Sequence, residues 1–461
     1  MTRDRLSPMD VAFLDVEDPQ NRAHLFGLLV FDGPAPTFED FRCAIGACLP
    51  DLPRFRQRIA RVPGGLHRPE WVDAEGFQID RHLGSIELPP PGDIGELNAL
   101  ADELSSAAMD MGRPLWEMQL VTGLAGGQFA IAVKLHHSMV DGVSIMDVFS
   151  VLFSVEPNAQ LPTPQPWSPQ RVPGPFGLSS RATVDAARDS AAALATGIRH
   201  MGRVWNIAGS IRRTARLLGQ APVTQFNAGP SGSRRRNSWL SVPLSEFALV
   251  KTQFETTINN VYLAVIAGAL RRHRERSGET SVPLYAFVPV SIRDESERGA
   301  LGNRIGLTFP RLPVDLDDAV ARLADVGSVV DRRKQWQQAT DTAALLAMGG
   351  STPPVLTKHM NRYIQLRSRL FNLTCTNVPG PRVPVYFCGR RLRGMLGSAP
   401  LTASHAVTMS ALSYNGTMFI AVTSDPVRVP DGDRLIEDFR AELDELLRLA
   451  GGADQSTGTS A

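Results

Sequence analysis

Lysine is nearly missing from this sequence: four lysines stand against 44 arginines in 461 residues. Such a bias reads as codon usage in a GC-rich genome, so a single arginine cluster carries less meaning here than elsewhere. Cysteine is also scarce. Cys43, Cys48, Cys375 and Cys388 form no CxxC pair, and reduced thiols in a cytoplasmic protein are the expectation. The net charge is only +1, so nothing global argues for a nucleic-acid partner. Long apolar runs are absent too. "VYLAVIAGAL" (261–270) falls well short of the roughly 20 residues that span a bilayer. The opening "MTRDRLSPMD" has basic residues but no apolar run, so no signal peptide is expected. No GxSxG elbow, Walker loop or GxGxxG fingerprint occurs. "AGGQFA" and "GPSGSRRR" fit neither phosphate-binding pattern.

What the chain does have is 43% apolar and 21% charged residues, enough length for two domains, and alternating strand-like and helix-like segments. In residues 1–156, "HLFGLLVF" (24–31), "WEMQLVTGL" (116–124) and Phe129–Leu135 read as strands. Phe38–Leu49, Ile94–Met109 and Val143–Phe153 have helical apolar spacing. Six prolines between Pro162 and Pro175 exclude regular structure. They mark 157–240 as a linker region that continues into an amphipathic segment, 191–219. From Ser190 to Ser245 there are eight arginines and no acidic residue. A lipid-facing surface and a packed helix with a solvated basic face both fit that pattern. Residues 241–452 again mix strands and helices, among them Ser245–Glu255, Val261–Arg274, Ala319–Gln338 and Asp433–Leu449. Residues 453–461 read as a disordered tail.

Two of only nine histidines, His136 and His137, stand side by side where a strand ends and a helix is about to begin, in "KLHHSMVDGVSIMDVF" (134–149). Neighbouring strand residues point to opposite faces, so both imidazoles cannot readily reach one metal ion, and no metal is expected. The same alternation suits one base in a cleft with its neighbour in the scaffold. Gly142 permits a tight turn, and Asp141 can orient that turn or cap the next helix.

The spacing His136-His137-x-x-x-Asp141-Gly142 resembles the signature of acyltransferases with the chloramphenicol acetyltransferase-like fold. These include peptide-synthetase condensation domains and the bacterial wax ester synthase/diacylglycerol acyltransferase family. Other stretches resemble the latter in the same order: "LSPMDVAFLDVE" (6–17), "PRFRQRIARVPGGLHRPEWV" (53–72), "RPLWEMQLVTGL" (113–124), "TINNVYLAVIAGALRR" (257–272), "PVSIRDE" (289–295), "GNRIGLTFPRLPV" (302–314), "TNVPGP" (376–381) and "SYNGTMFIAVTSDP" (413–426). One departure stands out: Asn259-Asn260 occupies the place of the family's usual Asn-Asp.

The resemblance implies an α/β (α+β) fold of two chloramphenicol acetyltransferase-like subdomains with an active-site tunnel between them. It implies transfer of a long-chain acyl group from acyl-CoA, as co-substrate and without a further cofactor, to diacylglycerol or a fatty alcohol. His137 would be the general base and His136 its support. Asp141 would pair with Arg293, and Asn259 and Asn377 would lie near the tunnel. His24 and His82, in matched stretches, are read as structural. The setting implied is cytoplasmic, with peripheral contact at a membrane or lipid-droplet surface. A carrier-bound donor on the same fold and a non-catalytic lipid-binding protein are the alternatives.

Overall fold

The computed structural model describes residues 4–65, 67–139, 145–159, 166–170, 174, 176–185, 188, 221–291, 305–328, 370–401 and 404–457. In chain order the first half supplies α1 (Pro8–Val16), β1 (His24–Phe31), α2 (Phe38–Cys48), β2 (Gln57–Ala60), β3 (Glu70–Asp73), β4 (Leu83–Glu87), α3 (Ile94–Ser106), β5 (Trp116–Thr122), β6 (Phe129–His136) and α4 (Ile145–Leu152). The second half supplies β7 (Arg236–Pro243), α5 (Leu244–Gln253), α6 (Ile258–Arg276), β8 (Leu284–Ser291), β9 (Ile305–Thr308), β10 (Arg311–Leu312) and α7 (Ala319–Val326). After these come β11 (Leu373–Pro379), β12 (Tyr386–Phe387), β13 (Arg390–Ser398), β14 (Val407–Tyr414), β15 (Thr417–Ser424) and α8 (Arg434–Thr457).

Two mixed sheets organise these elements. The first runs β12-β13-β1-β6-β5-β4, and the second runs β10-β8-β11-β14-β15-β7 with β9 on β8. The expected two-part α/β architecture is therefore present, with one feature the sequence does not announce. Strands β12 and β13, from the second half, complete the first sheet, where β13 pairs antiparallel with β1. Gly394 of β13 has no side chain where the Phe419 ring of β15 packs; a Cβ there would lie 3.3 Å from Phe419 Cε1. The lent strand thus seals one sheet against the other.

Local chemistry explains the elements that matter for the site. Ser7 and Asp10 cap α1 reciprocally, and Asp93 and Glu96 do the same for α3. The apolar run of β6 is buried along its whole length, and Lys134 within it forms a 2.8 Å ion pair with Glu117 on β5. In the second half α6 is buried from Asn260 through Leu270, as a helix apolar on all sides must be. Gly268 makes room there for Glu442 of α8, which pairs with buried Arg322 and with Arg272.

Some boundaries differ from the sequence reading. The last helix reaches Thr457, past Leu449 and into the stretch whose composition suggests a disordered tail. Within the proline-rich region, Trp167 is not free chain. It lies edge-on to Phe77 and beneath the Arg56 guanidinium, and the Gln170 N–H donates to Asp73. The expected amphipathic segment 191–219 lies outside the described residues. The helix expected over Ala319–Gln338 stops at Val326, where Gly327 caps it, and positions 329–338 lie outside the described residues. Among the described residues no helix is long and apolar enough to cross a membrane.

Candidate active site

Strand β6 carries the histidine pair to its end. His136 is the last strand residue and lies opposite His24 of β1. His137 opens a 3-10 turn through Met139, tied by its own N–H to the carbonyl of Ala23, the residue before β1, at 2.8 Å. The two imidazoles face different surroundings. His136 is 0% exposed. Its Nδ1 accepts the Ser138 backbone N–H at 3.1 Å, with the Ser138 hydroxyl 2.7 Å away. That assigns the ring proton to Nε2, which donates to Glu17 Oε2 at 3.1 Å. Burial opposes ionisation of Glu17. The His136 hydrogen bond, with the charges around it including Arg22, outweighs burial and holds its carboxyl below the usual value. His137 is half-buried and stacks on Phe13 of α1.

A polar network supports the pair from behind. His24 donates from Nε2 to the Ser105 carbonyl at 2.8 Å, and burial pulls its imidazole down to about 4. β7 comes from the second half and locks onto α3: the Asn237 N–H donates to Asp102 at 2.7 Å, and the Arg235 N–H donates to Ser106 Oγ at 2.8 Å. The Arg235 guanidinium reaches the Gln20 carbonyl, three residues from Glu17, at 2.6 Å, and burial lowers it to about 10. His82 is also buried, donating to the Trp116 carbonyl at 2.8 Å and stacking on that indole.

Between the sheets lies an apolar cavity enclosing about 720 Å³ of empty space, open solvent included. β1 contributes Gly27 and Leu29, β6 contributes Val133 and Leu135, and α4 contributes Ile145 and Phe149. Gly397 of β13 lines the cavity beside β1, and its far wall comes from Thr376 and Val378 of β11 and Ala411 of β14. Gly27 and Gly397 are register partners, and a Cβ on Gly397 would meet nothing within 4 Å. His137 follows Leu135 two positions on, at the strand end of the β6 wall.

Asn259 and Asn377, far apart in sequence, come together: Asn377 Nδ2 donates to Asn259 Oδ1 at 3.5 Å. Asn377 sits between cavity-lining Thr376 and Val378, on the side of β11 that faces α6. Asn260 is the third residue of α6. Its N–H goes to Thr257 Oγ1 and its side chain donates to Thr256 Oγ1, both at 3.1 Å. Asp141, Gly142 and Arg293 lie outside the described residues, and with them the Asp141–Arg293 contact. Among the described residues no cluster of His, Cys, Asp or Glu is arranged to hold a metal ion. Phe13 and Glu17 were not singled out by sequence; both lie in the matched opening "LSPMDVAFLDVE", the one signal that points to them.

Comparison with known proteins identifies the family. The family profile described as the wax ester synthase/diacylglycerol acyltransferase catalytic domain matches residues 6–262, and that of the WS/DGAT C-terminal domain matches 301–447. A Mycobacterium tuberculosis protein named probable diacylglycerol O-acyltransferase tgs1 is 32% identical over 95% of each chain. Another from that organism, tgs2, is 29% identical over 97% of this chain and 100% of its own. The solved wax ester synthase/diacylglycerol acyltransferase of Marinobacter aquaeolei VT8 superposes with a TM-score of 0.70 at 26% identity, covering 97% of this chain and 100% of that one. The starter condensation domain of rhizomide synthetase shares the fold, with a TM-score of 0.57 at 14% identity, covering 98% of this chain and 95% of that one. By sequence along nearly its whole length, and by fold, this chain belongs to the wax ester synthase/diacylglycerol acyltransferase family.

Proposed function

We propose that this acyltransferase moves a long-chain acyl group from acyl-CoA to the hydroxyl of diacylglycerol, of a fatty alcohol, or of both, with His137 as general base. The carrying observation is the apolar inter-sheet cavity whose β6 wall ends at the histidine pair. An acyl chain buried there would leave its thioester at the polar end of the strand. An alcohol is a poor nucleophile at neutral pH, so its proton must leave as the oxygen attacks. A positioned imidazole typically contributes about 10²–10⁴ in rate. The alcohol O–H bond breaks as His137 takes the proton, and the oxygen bonds to the thioester carbonyl carbon. The tetrahedral adduct then expels the coenzyme A sulfur, which takes the proton from the imidazolium. No acyl-enzyme and no cofactor beyond acyl-CoA enters this sequence. His136, held by Glu17 and Ser138, fixes the strand end. Asn259 and Asn377 line up the second-half wall from behind.

The same reading includes peripheral contact with a membrane or lipid-droplet surface through the arginine-rich 191–219 stretch. Flotation with anionic vesicles should show binding that weakens between 0.1 M and 1 M salt, where the Debye length falls from about 10 Å to roughly 3 Å. The catalytic reading is tested by offering the purified protein palmitoyl-CoA with diacylglycerol or hexadecanol. Ester formation with release of free thiol is expected. Transfer only from palmitoyl acyl carrier protein would replace the donor, and no transfer from either would remove the reading.

A further inference from the structure

Helix α1 touches both histidines. Phe13 lays its ring on the His137 imidazole, with centroids 3.8 Å apart and planes 19° from parallel. One turn later, just past the end of the helix, Glu17 receives the Nε2 hydrogen bond of His136. Four-residue spacing puts the two side chains on the same face. The helix is itself anchored: Ser7 and Asp10 cap its start, and Val11 and Leu14 are buried in the first-half core. A rigid element therefore presents an aromatic face to the imidazole that the acyl-transfer reading makes the base. The catalytic steps above use neither Phe13 nor its ring.

An aromatic face carries negative charge density. A neutral imidazole stacked on it gains packing and a fixed plane, while an imidazolium there gains a cation–π attraction as well. His137 changes from the first to the second as the alcohol proton arrives. The contact is then stronger in the transition state than in the ground state, the kind of interaction that raises kcat and leaves KM alone. Resting on the acyl-transfer reading, we propose that Phe13 is the positioning residue of the general base. Its ring holds the His137 plane and stabilises the imidazolium formed when the alcohol O–H bond breaks. Glu17, acting on His136, keeps the adjoining backbone in place.

Steady-state kinetics of the full chain carrying Phe13→Leu, Phe13→Met or Phe13→Tyr, beside His137→Ala, test this with palmitoyl-CoA and whichever acceptor the unaltered protein uses. Phe13 is half-buried, and two aliphatic replacements guard against one that folds poorly. A desolvated cation–π contact corresponds to roughly a 5–30-fold loss in kcat for the leucine and methionine variants. KM for both substrates should stay within about twofold, and tyrosine, which keeps the ring face, within about twofold of the unaltered protein in kcat. Unchanged kcat in the aliphatic variants, a tyrosine variant as impaired as leucine, or a loss confined to KM would overturn the assignment. If His137→Ala is inactive in the same assay, such a result removes the role of Phe13 alone. If His137→Ala is fully active, the base reading fails and takes this inference with it.

Discussion

Acidification below about pH 6.5 should destabilise this protein through two histidines held neutral inside it. His24 donates to the Ser105 carbonyl at 2.8 Å. His405 donates from Nε2 to the Phe371 carbonyl at 2.9 Å and stacks on that phenyl ring at 3.8 Å. Burial, partly offset by these hydrogen bonds, pulls each imidazole from 6.5 to about 4. For His24, nearby Lys134 and His136 add to the lowering and Glu17 opposes it. Once unfolded, both rings titrate near their ordinary value. Between about pH 4 and pH 6.5 the unfolded chain therefore binds more protons than the folded one, and stability rises with pH. The contribution is complete above the unfolded value and is lost as pH falls toward the folded one. At about 1.4 kcal/mol per pH unit, each histidine loses about 2 kcal/mol by pH 5 and about 3 kcal/mol by pH 4. Urea midpoints at pH 7.5, 6 and 5, measured for the unaltered protein, His24→Gln, His405→Gln and the double variant, would show this. Glutamine keeps an N–H for each carbonyl and does not titrate. The double variant should lack about 4 kcal/mol of the loss between pH 7.5 and 5. Glu17 and Asp425 are carboxylates held below their usual values, so they act at lower pH and leave this comparison alone. Equal pH slopes in all four proteins would refute the reasoning.

Three substitutions probe other parts of the account. Gly268→Ala would put a Cβ 2.1 Å from Glu442 Cδ and push that carboxylate off Arg322. Splitting a buried pair costs about 3–5 kcal/mol, so thermal melts should shift down by several degrees, and an unchanged melt would contradict the packing. Asn260→Asp places a carboxylate at the third position of α6, three residues after its Thr257 cap. There the helix dipole contributes about 0.3–1 kcal/mol. Turnover should hold or rise, and a tenfold fall would show that the amide is needed. Gly397→Val adds bulk to the cavity wall beside Gly27 and should lower kcat/KM for palmitoyl-CoA about 10-fold relative to a medium-chain acyl-CoA. An unaltered chain-length profile would place the acyl chain elsewhere.

The strands β1 and β6 are legible because their apolar runs are long, and β1 spans the same residues, His24–Phe31, in sequence and structure. Strand alternation also anticipates that His136 and His137 meet different surroundings. The destination of β13 is not legible. "RRLRGMLGS" has a strand's composition, but nothing local says that it pairs with a strand more than 350 residues earlier. The roles of Phe13 and Glu17 are hidden for the same reason: α1 packs on a turn some 120 residues downstream, and its own spacing records only an apolar side. At the other end, Gly451 and Gly452 suggest a stop on propensity, yet α8 continues to Thr457.

The central claim is that one imidazole, His137, removes the alcohol proton. It is tested most directly by the turnover and melting temperature of His137→Ala and His136→Ala, assayed together with palmitoyl-CoA and the preferred acceptor. The account predicts that His137→Ala melts normally but loses at least about 10²-fold in kcat. His136→Ala empties a fully buried site, strands the hydrogen bonds of Glu17 and Ser138, and should melt at a lower temperature. A His137→Ala protein that keeps most of its activity while His136→Ala is inactive, or a double variant that still turns over, would contradict it.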